Sequence, residues 1–364
     1  MIYYVFFFIF IFESFWFVFF EQILSKKYNN LIFQQNLKKK FGRFFLFITG
    51  VELILLYSLR EIPYFDTVHD LGRYTEIYSA ISRGADYSYL EPGFTLYLKL
   101  CSYINIDSEI FILLIFSIPV IFFTFGFIYK YSKNVYLSVY IYYGFMFYFF
   151  LFNGVRQCMS MAIGLPAFYF LNEKKWIKAL FFILLATAFH HSAIILLILF
   201  VLQRVHIKID FRYFAIILLF SLVMIGIGRG LASLATSVLA SSYIGYLEDA
   251  TGGNWANPVI YLTLVGIICF FNGGKERGKE YLLINSVVFG TLIYFMSTQA
   301  QILNRMAYYF TLPIICVLPN IINELEDYRI RFFATFGCYL AITVYGVLLV
   351  FNNAHGILPY EWAL

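Results

Sequence analysis

Charge is scarce in this sequence: only 13% of its 364 residues are Asp, Glu, Lys or Arg, against 62% hydrophobic. A soluble domain carries about a quarter charged and about half apolar residues, so a water-soluble globule is excluded. Histidine is rarer still, with five in all. The five cysteines (Cys101, Cys158, Cys269, Cys316 and Cys338) have neither metal-ligand nor disulfide-framework spacing. They read as small hydrophobes inside apolar runs. No metal site and no other cofactor is expected, although Asp66 and Asp70 are spaced so that they can hold a divalent ion. A concentrated basic run is also missing. The net charge of +5 is spread over many short loops, which argues against nucleic acid as a partner. Residues 1–20 lack the basic leader and small-residue cleavage site of a signal peptide, and read as a retained first span. No internal repeat is visible.

What the chain has in excess is aromatic and aliphatic bulk. Phe and Tyr number 45 and 31, and the mean hydropathy is +0.78. A bilayer crossing needs about 20 apolar residues. Runs of that kind fall at 2–20, 44–59, 109–129, 135–152, 155–171, 213–228, 256–271, 282–298, 306–323 and 332–351. They predict an all-α polytopic protein of about 10–12 transmembrane helices, a single integral membrane domain over residues 1–364.

Basic residues orient it. One set of loops holds Lys26, Lys27, Lys38 to Lys40, Arg43, Lys130, Lys133, Lys174, Lys175, Lys178, Arg204, Lys208, Arg212, Lys275, Arg277, Lys279, Arg329 and Arg331, which is 19 of the 26. The alternate loops hold Arg60, Arg73, Arg83, Lys99, Arg156, Arg229 and Arg305. The positive-inside rule makes the first set cytoplasmic and places both termini outside. The outer set is nearly all arginine, the side chain suited to bidentate contact with phosphate or carboxylate. Two outer loops are long, 60–108 and 229–257. Each has room for a short interfacial helix, over 92–104 and 231–247.

Segment 177–202 is apolar but basic at both flanks, so both ends should be cytoplasmic. Each arm of about 13 residues reaches only about 20 Å. Two short helices are therefore expected, with Phe189-His-His-Ser192 at their tip in a water-filled recess, where non-helical backbone is tolerated.

Four polar clusters fall on the outer side: Asp66-Thr-Val-His-Asp-Leu-Gly-Arg-Tyr74 with Glu91-Pro-Gly-Phe94; Asn153-Gly-Val-Arg-Gln157; His190-His-Ser192; and Asn304-Arg-Met-Ala-Tyr-Tyr309. Ionisable residues at membrane depth point to function. Each also has a plainer reading. Arg156 and Arg305 can snorkel to lipid headgroups, and Arg73 can pair with Asp70 or Glu76. Asp66 and Asp70 can cap a helix starting near Leu71, and Glu91 can open the helix that Pro92 begins. His190 can bond between helices, and His191 is more ordinary. Glu13 and Glu52 sit inside spans, and His69, His206 and His355 read as loop residues.

Taken in order along the chain, these motifs resemble the EpsG family of bacterial exopolysaccharide and O-antigen polymerases, the Wzy-type enzymes. The similarity is carried by D-T-V-H-D-L-G-R-Y at 66–74, E-P-G-F at 91–94, N-G-V-R-Q at 153–157 leading into M-A-I-G at 161–164, F-H-H-S-A at 189–193, N-R-M-A-Y-Y-F at 304–310 and a closing L-P-Y at 358–360. Tyr64-Phe-Asp-Thr67 stands where the family usually has Gly-Thr-Asp-Thr, which keeps Asp66. The resemblance implies a GT-C-like architecture and a glycosyltransferase at the outer face of the bacterial inner membrane. It implies transfer of a growing glycan from undecaprenyl pyrophosphate onto the next lipid-linked repeat unit. Lipid-linked oligosaccharides, membrane lipids and a chain-length regulator protein would be its partners. Arg73, Arg156 and Arg305 would meet the pyrophosphate, with Asn153, Gln157, Asn304 and Tyr308 lining the glycan site. His190 would be the general base, with Asp66 or Glu91 as second choice. The alternatives are a polysaccharide flippase or transporter, for which the absent repeat is a mark against, and a carbohydrate O-acyltransferase.

Overall fold

A computed structural model describes residues 2–27, 31–62, 70–85, 87, 89–104, 106, 108–239 and 255–363. It is an all-α polytopic membrane protein. Among the described residues there is no strand, only one isolated β-bridge. Among the described residues seven helical segments are long and apolar enough to cross a membrane, and a bent helix pair makes an eighth if it is one span. Three shorter apolar helices lie at Trp176–Phe189, His191–Leu202 and Ala256–Asn272. The chain divides into two compact units, residues 1–163 with 326–364, and residues 164–325.

The first unit is built around α6 (Val135–Gly144), buried from Tyr136 to its end. Around it pack α1 (Ile2–Lys27), α2 (Leu31–Ser58), α5 (Glu109–Tyr131) and α15 (Tyr328–Phe351). The span that α6 begins runs on to Phe152, through Met146 in the left-handed region (φ 64°) and a 3-10 turn, Phe149–Phe152. Aromatic rings fill this core edge to face. Phe45 meets Tyr136 at 4.8 Å, and Phe7 meets Tyr143 at 4.9 Å. Two of the tyrosine hydroxyls that go in with the rings find backbone acceptors. Tyr143 donates to the carbonyl of Tyr3 at 2.8 Å and Tyr148 to that of Leu53 at 2.8 Å, so both phenols are satisfied without water. Gly144 packs directly against Ile342 of α15, where a Cβ would have no room. The outer helices present their bulk to lipid. Phe8, Phe12 and Phe15 of α1, and Phe332, Phe333 and Phe336 of α15, are all well exposed.

The first long loop is folded. α3 (Asp70–Ser82) and α4 (Pro92–Ser102) pack on one another and α3 also packs on α5. Tyr78 donates to the carbonyls of Cys101 and Ile106, and Tyr97 of α4 to that of Ile115 at 2.7 Å.

α7 (Val155–Asn172) runs across the unit boundary. The second unit continues with α8 (Trp176–Phe189), a 3-10 segment His191–Ile198 and the short α9 (Leu199–Leu202). α10 (Phe211–Leu239), α11 (Ala256–Asn272) and α12 (Tyr281–Ser297) follow, then α13 (Ile302–Thr311) and α14 (Ile314–Asn323). α12 is its core, packed by α10, α11 and α13 and buried along most of its length.

Three differences from the sequence expectations have physical causes. The crossing expected at 306–323 is two helices bent by 43°, because Pro313 has no N–H to give the helix and crowds the residue before it. The interfacial helix expected at 231–247 is not separate over its first part: residues 231–239 continue α10, and the remainder lies outside the described residues. α2 begins at Leu31, so Lys38 to Lys40 and Arg43 stand on helix and not in a loop, since Leu, Gln and Lys prolong a helix readily.

Candidate functional site

In the first unit the local sequence places three groups on each other. Pro92 starts α4 at its first turn, where a missing N–H costs nothing, and so puts Glu91 at the N-cap position. The Glu91 carboxylate makes no cap bond there. It forms an ion pair with Arg156 Nη1 instead. Arg156 Nε donates to the Tyr74 hydroxyl at 2.6 Å, and its guanidinium stands 5.5 Å from the Tyr74 ring centroid. Tyr74 comes from α3 and is wedged against Phe94 (5.6 Å) and Phe116 (6.3 Å). Tyr74 of α3 and Glu91 at the start of α4 thus converge on one cation at the start of α7. Glu91 is 3% exposed, whereas the Arg156 side chain keeps 25% of its surface open. The arrangement is a guanidinium held from behind by a buried carboxylate and a phenol, with part of its surface left to meet an anion.

The N-G-V-R-Q motif has a backbone reason as well. Gly154 N–H donates to the carbonyl of Phe150 at 2.8 Å, and a Cβ at Gly154 would stand 2.8 Å from the Phe150 ring. Only glycine lets the 3-10 turn close and α7 start there. Asn153 is half-buried beside this turn, and Gln157 is buried one turn into α7.

Arg73 stands elsewhere on α3, exposed, with its guanidinium 6.0 Å from the Tyr89 ring. Asp66 and the loop around it lie outside the described residues.

In the second unit, α8 stops at Phe189. His190 takes an extended conformation (φ −157°, ψ 119°), and the chain turns back as the 3-10 segment, which packs on α8. Gly164 of α7 lies against Leu196 and Ala186 of this pair. His190 is half-buried and His191 exposed. The Ser192 hydroxyl lies 3.0 Å from that of Tyr309 on α13, tying the His-His-Ser turn to the N-R-M-A-Y-Y motif. Tyr309 is a residue the sequence reading passed over in favour of Tyr308. Its signal was the Tyr-Tyr pair, whose two members point to different faces of one helix. Asn304 Oδ1 accepts from Asn257 Nδ2 at 3.0 Å, Arg305 is exposed, and Tyr308 is half-buried with its ring 6.4 Å from Tyr294.

A second arginine in this unit has a structural part that a charge census cannot see. Arg277 is buried. It donates to Asn272 and pairs with Glu280 and Glu324, while Asn320 donates to Glu280 at 2.9 Å. This network ties the α11–α12 connection to the end of α14. Among the described residues no cluster of three or more His, Cys, Asp or Glu could hold a metal ion.

No curated protein and no solved structure matches the chain. The sequence model of the EpsG family matches residues 43–362, from the middle of α2 to the C-terminal segment. A match over that extent, on a bundle of this many apolar helices, makes the chain a multi-pass membrane protein belonging to the EpsG family.

Proposed function

We propose that this protein is a polysaccharide polymerase that joins lipid-linked repeat units at the outer face of a bacterial inner membrane, with both termini on that side. The observation that carries the reading is the Arg156 centre. A guanidinium fixed by Glu91 and Tyr74, with a quarter of its side chain exposed, is a preorganised site for charge developing on a phosphate. A merely snorkelling arginine would need no buried carboxylate behind it.

In this reaction the acceptor sugar hydroxyl attacks the anomeric carbon of the growing chain. The new bond joins hydroxyl oxygen to C1, the C1–O bond to undecaprenyl pyrophosphate breaks, and that pyrophosphate leaves with the bonding electron pair. Arg156 meets the charge on the leaving group, and Arg305 remains a candidate for phosphate on the residues of its own unit. His190 takes the hydroxyl proton. Glu91, already paired with the Arg156 guanidinium, is here a positioning residue. Asn153, Gln157, Asn304 and Tyr308 remain the candidates for the glycan, and Arg73 a further contact for anionic substrate.

Complementation of a strain lacking the gene tests the reading, with the surface glycan resolved on a gel. Wild-type protein restores a ladder of chain lengths. Arg156→Ala, Arg305→Ala and His190→Ala leave single repeat units on the surface and no ladder. Normal ladders from all three would refute the site. Loss of every repeat unit in the deletion strain would mean a flippase, and an intact ladder of altered mass an acyltransferase.

A further inference from the structure

Among the described residues Arg60 is the largest fully buried side chain, at 1% exposure. It follows the last turn of α2 and is covered by the C-terminal segment. Arg60 and Trp362 form the isolated bridge, flanked by Glu61 N–H donating to the Glu361 carbonyl at 2.8 Å and Ala363 N–H donating to that of Leu59 at 2.9 Å. Its guanidinium stands 4.8 Å from the Phe152 ring centroid. Tyr3 packs edge to face on Phe152 at 6.1 Å and on Tyr360 at 5.3 Å, so both phenols belong to the same pocket.

The polar atoms in this pocket are unpaired. Arg60 Nε and Nη1 and the hydroxyls of Tyr3 and Tyr360 are all buried without a hydrogen-bond partner. Glu61 and Glu361, the carboxylates nearest in the chain and across the bridge, are both exposed, and neither pairs with Arg60. A guanidinium does not lose its proton in a protein. One aromatic face offers it less than the cost of taking its charge out of water. A counter-charge is therefore required, and it must accept from several donors at once.

We propose that Arg60, Tyr3 and Tyr360 form a binding site for a phosphate-type oxyanion, separate from the Arg156 centre. Two guanidinium N–H groups and two phenol O–H groups suit an oxyanion with three or more free oxygens better than the two oxygens of a carboxylate. The phosphate has two possible sources, a lipid headgroup or a soluble phosphate. The site stands on these side chains alone and holds whether or not the chain is a polymerase.

The test uses the full chain, purified in an uncharged detergent, with thermal unfolding followed as sodium pyrophosphate is titrated at constant ionic strength. An Arg156→Met background removes any contribution of that residue, and acetate is the carboxylate control. The expected result is a saturable rise in Tm with pyrophosphate and none with acetate. Tyr360→Phe, which removes only one hydroxyl, should raise the half-saturating concentration about tenfold. Arg60→Met should abolish the response. In a second arm, native mass spectrometry from nanodiscs with and without phosphatidylglycerol reads retained lipid. Arg60-dependent retention of phosphatidylglycerol, with no response to pyrophosphate, identifies the headgroup as the source and supports the site. Neither response in the Arg156→Met protein, or responses unchanged in Tyr360→Phe, overturns it. If Arg60→Met fails to fold, the Tyr360→Phe shift alone decides.

Discussion

Replacing Glu91 by Gln keeps the shape of the side chain and removes the charge that holds Arg156. Two unit charges about 4 Å apart interact by about 4 kcal/mol at an effective dielectric of about 20. The carboxylate is buried but a quarter of the Arg156 side chain is open, so solvent screens the pair and about 2 kcal/mol is a reasonable remainder. That corresponds to about a 30-fold loss of whatever step depends on a positioned guanidinium. The reverse change is harsher for folding. Arg156→Ala leaves the Glu91 carboxylate buried and unpaired, which should cost about 3 kcal/mol of stability. A double-mutant cycle separates the two effects. Glu91→Gln should shorten or abolish the glycan ladder with a modest drop in Tm. Arg156→Ala should lose the ladder with a large drop. Glu91→Gln with Arg156→Ala together should regain most of the stability and none of the ladder. Additive stability losses, or a normal ladder from Glu91→Gln, would refute the claim that the buried carboxylate positions the arginine.

Two further outcomes concern packing and the buried network. Gly144→Val forces a side chain into Ile342 and should lower stability by about 2 kcal/mol; Ile342→Ala in the same chain should recover part of it, read from the Tm of the purified protein. Arg277→Met removes the cation that Glu280 and Glu324 share and should cost about 2 kcal/mol in thermal unfolding, whereas Arg329→Met, on the exposed first turn of α15, should change it by less than about 0.5.

The helices were legible because lipid demands long apolar runs, and almost every run in this chain is a helix. The short 177–202 segment was legible for a second reason: its charge pattern and its length conflicted, and the structure resolves that conflict with a break at His190. The bend at Pro313 and the continuation of α10 were not, because apolar composition fixes neither the angle of a helix nor where it passes from lipid into a loop. Within the site, Glu91 had two readings, and the sequence could not choose. It occupies the cap position yet spends its carboxylate on Arg156, 65 residues away. The sharpest loss was among the arginines. Counting them by loop put Arg60, Arg156 and Arg305 in one set and Arg277 in the other, and said nothing of what surrounds each. One is sealed in aromatic rings, one is clamped and part-open, one is locked in a network and one is exposed. Which of these an arginine becomes depends on partners supplied by distant segments, which local composition does not encode.

The bridge between Arg60 and Trp362 also sets an order of events. Arg60 leaves the ribosome about 300 residues before the segment that seals it, which at about 5–20 residues per second is a wait of about 15–60 s. Throughout that interval Arg60 lacks the cover that residues 360–363 supply. A chain cut short after α15 would lack the bridge at Arg60 and the Tyr360 ring beside Tyr3, and with them part of the wall around this cation.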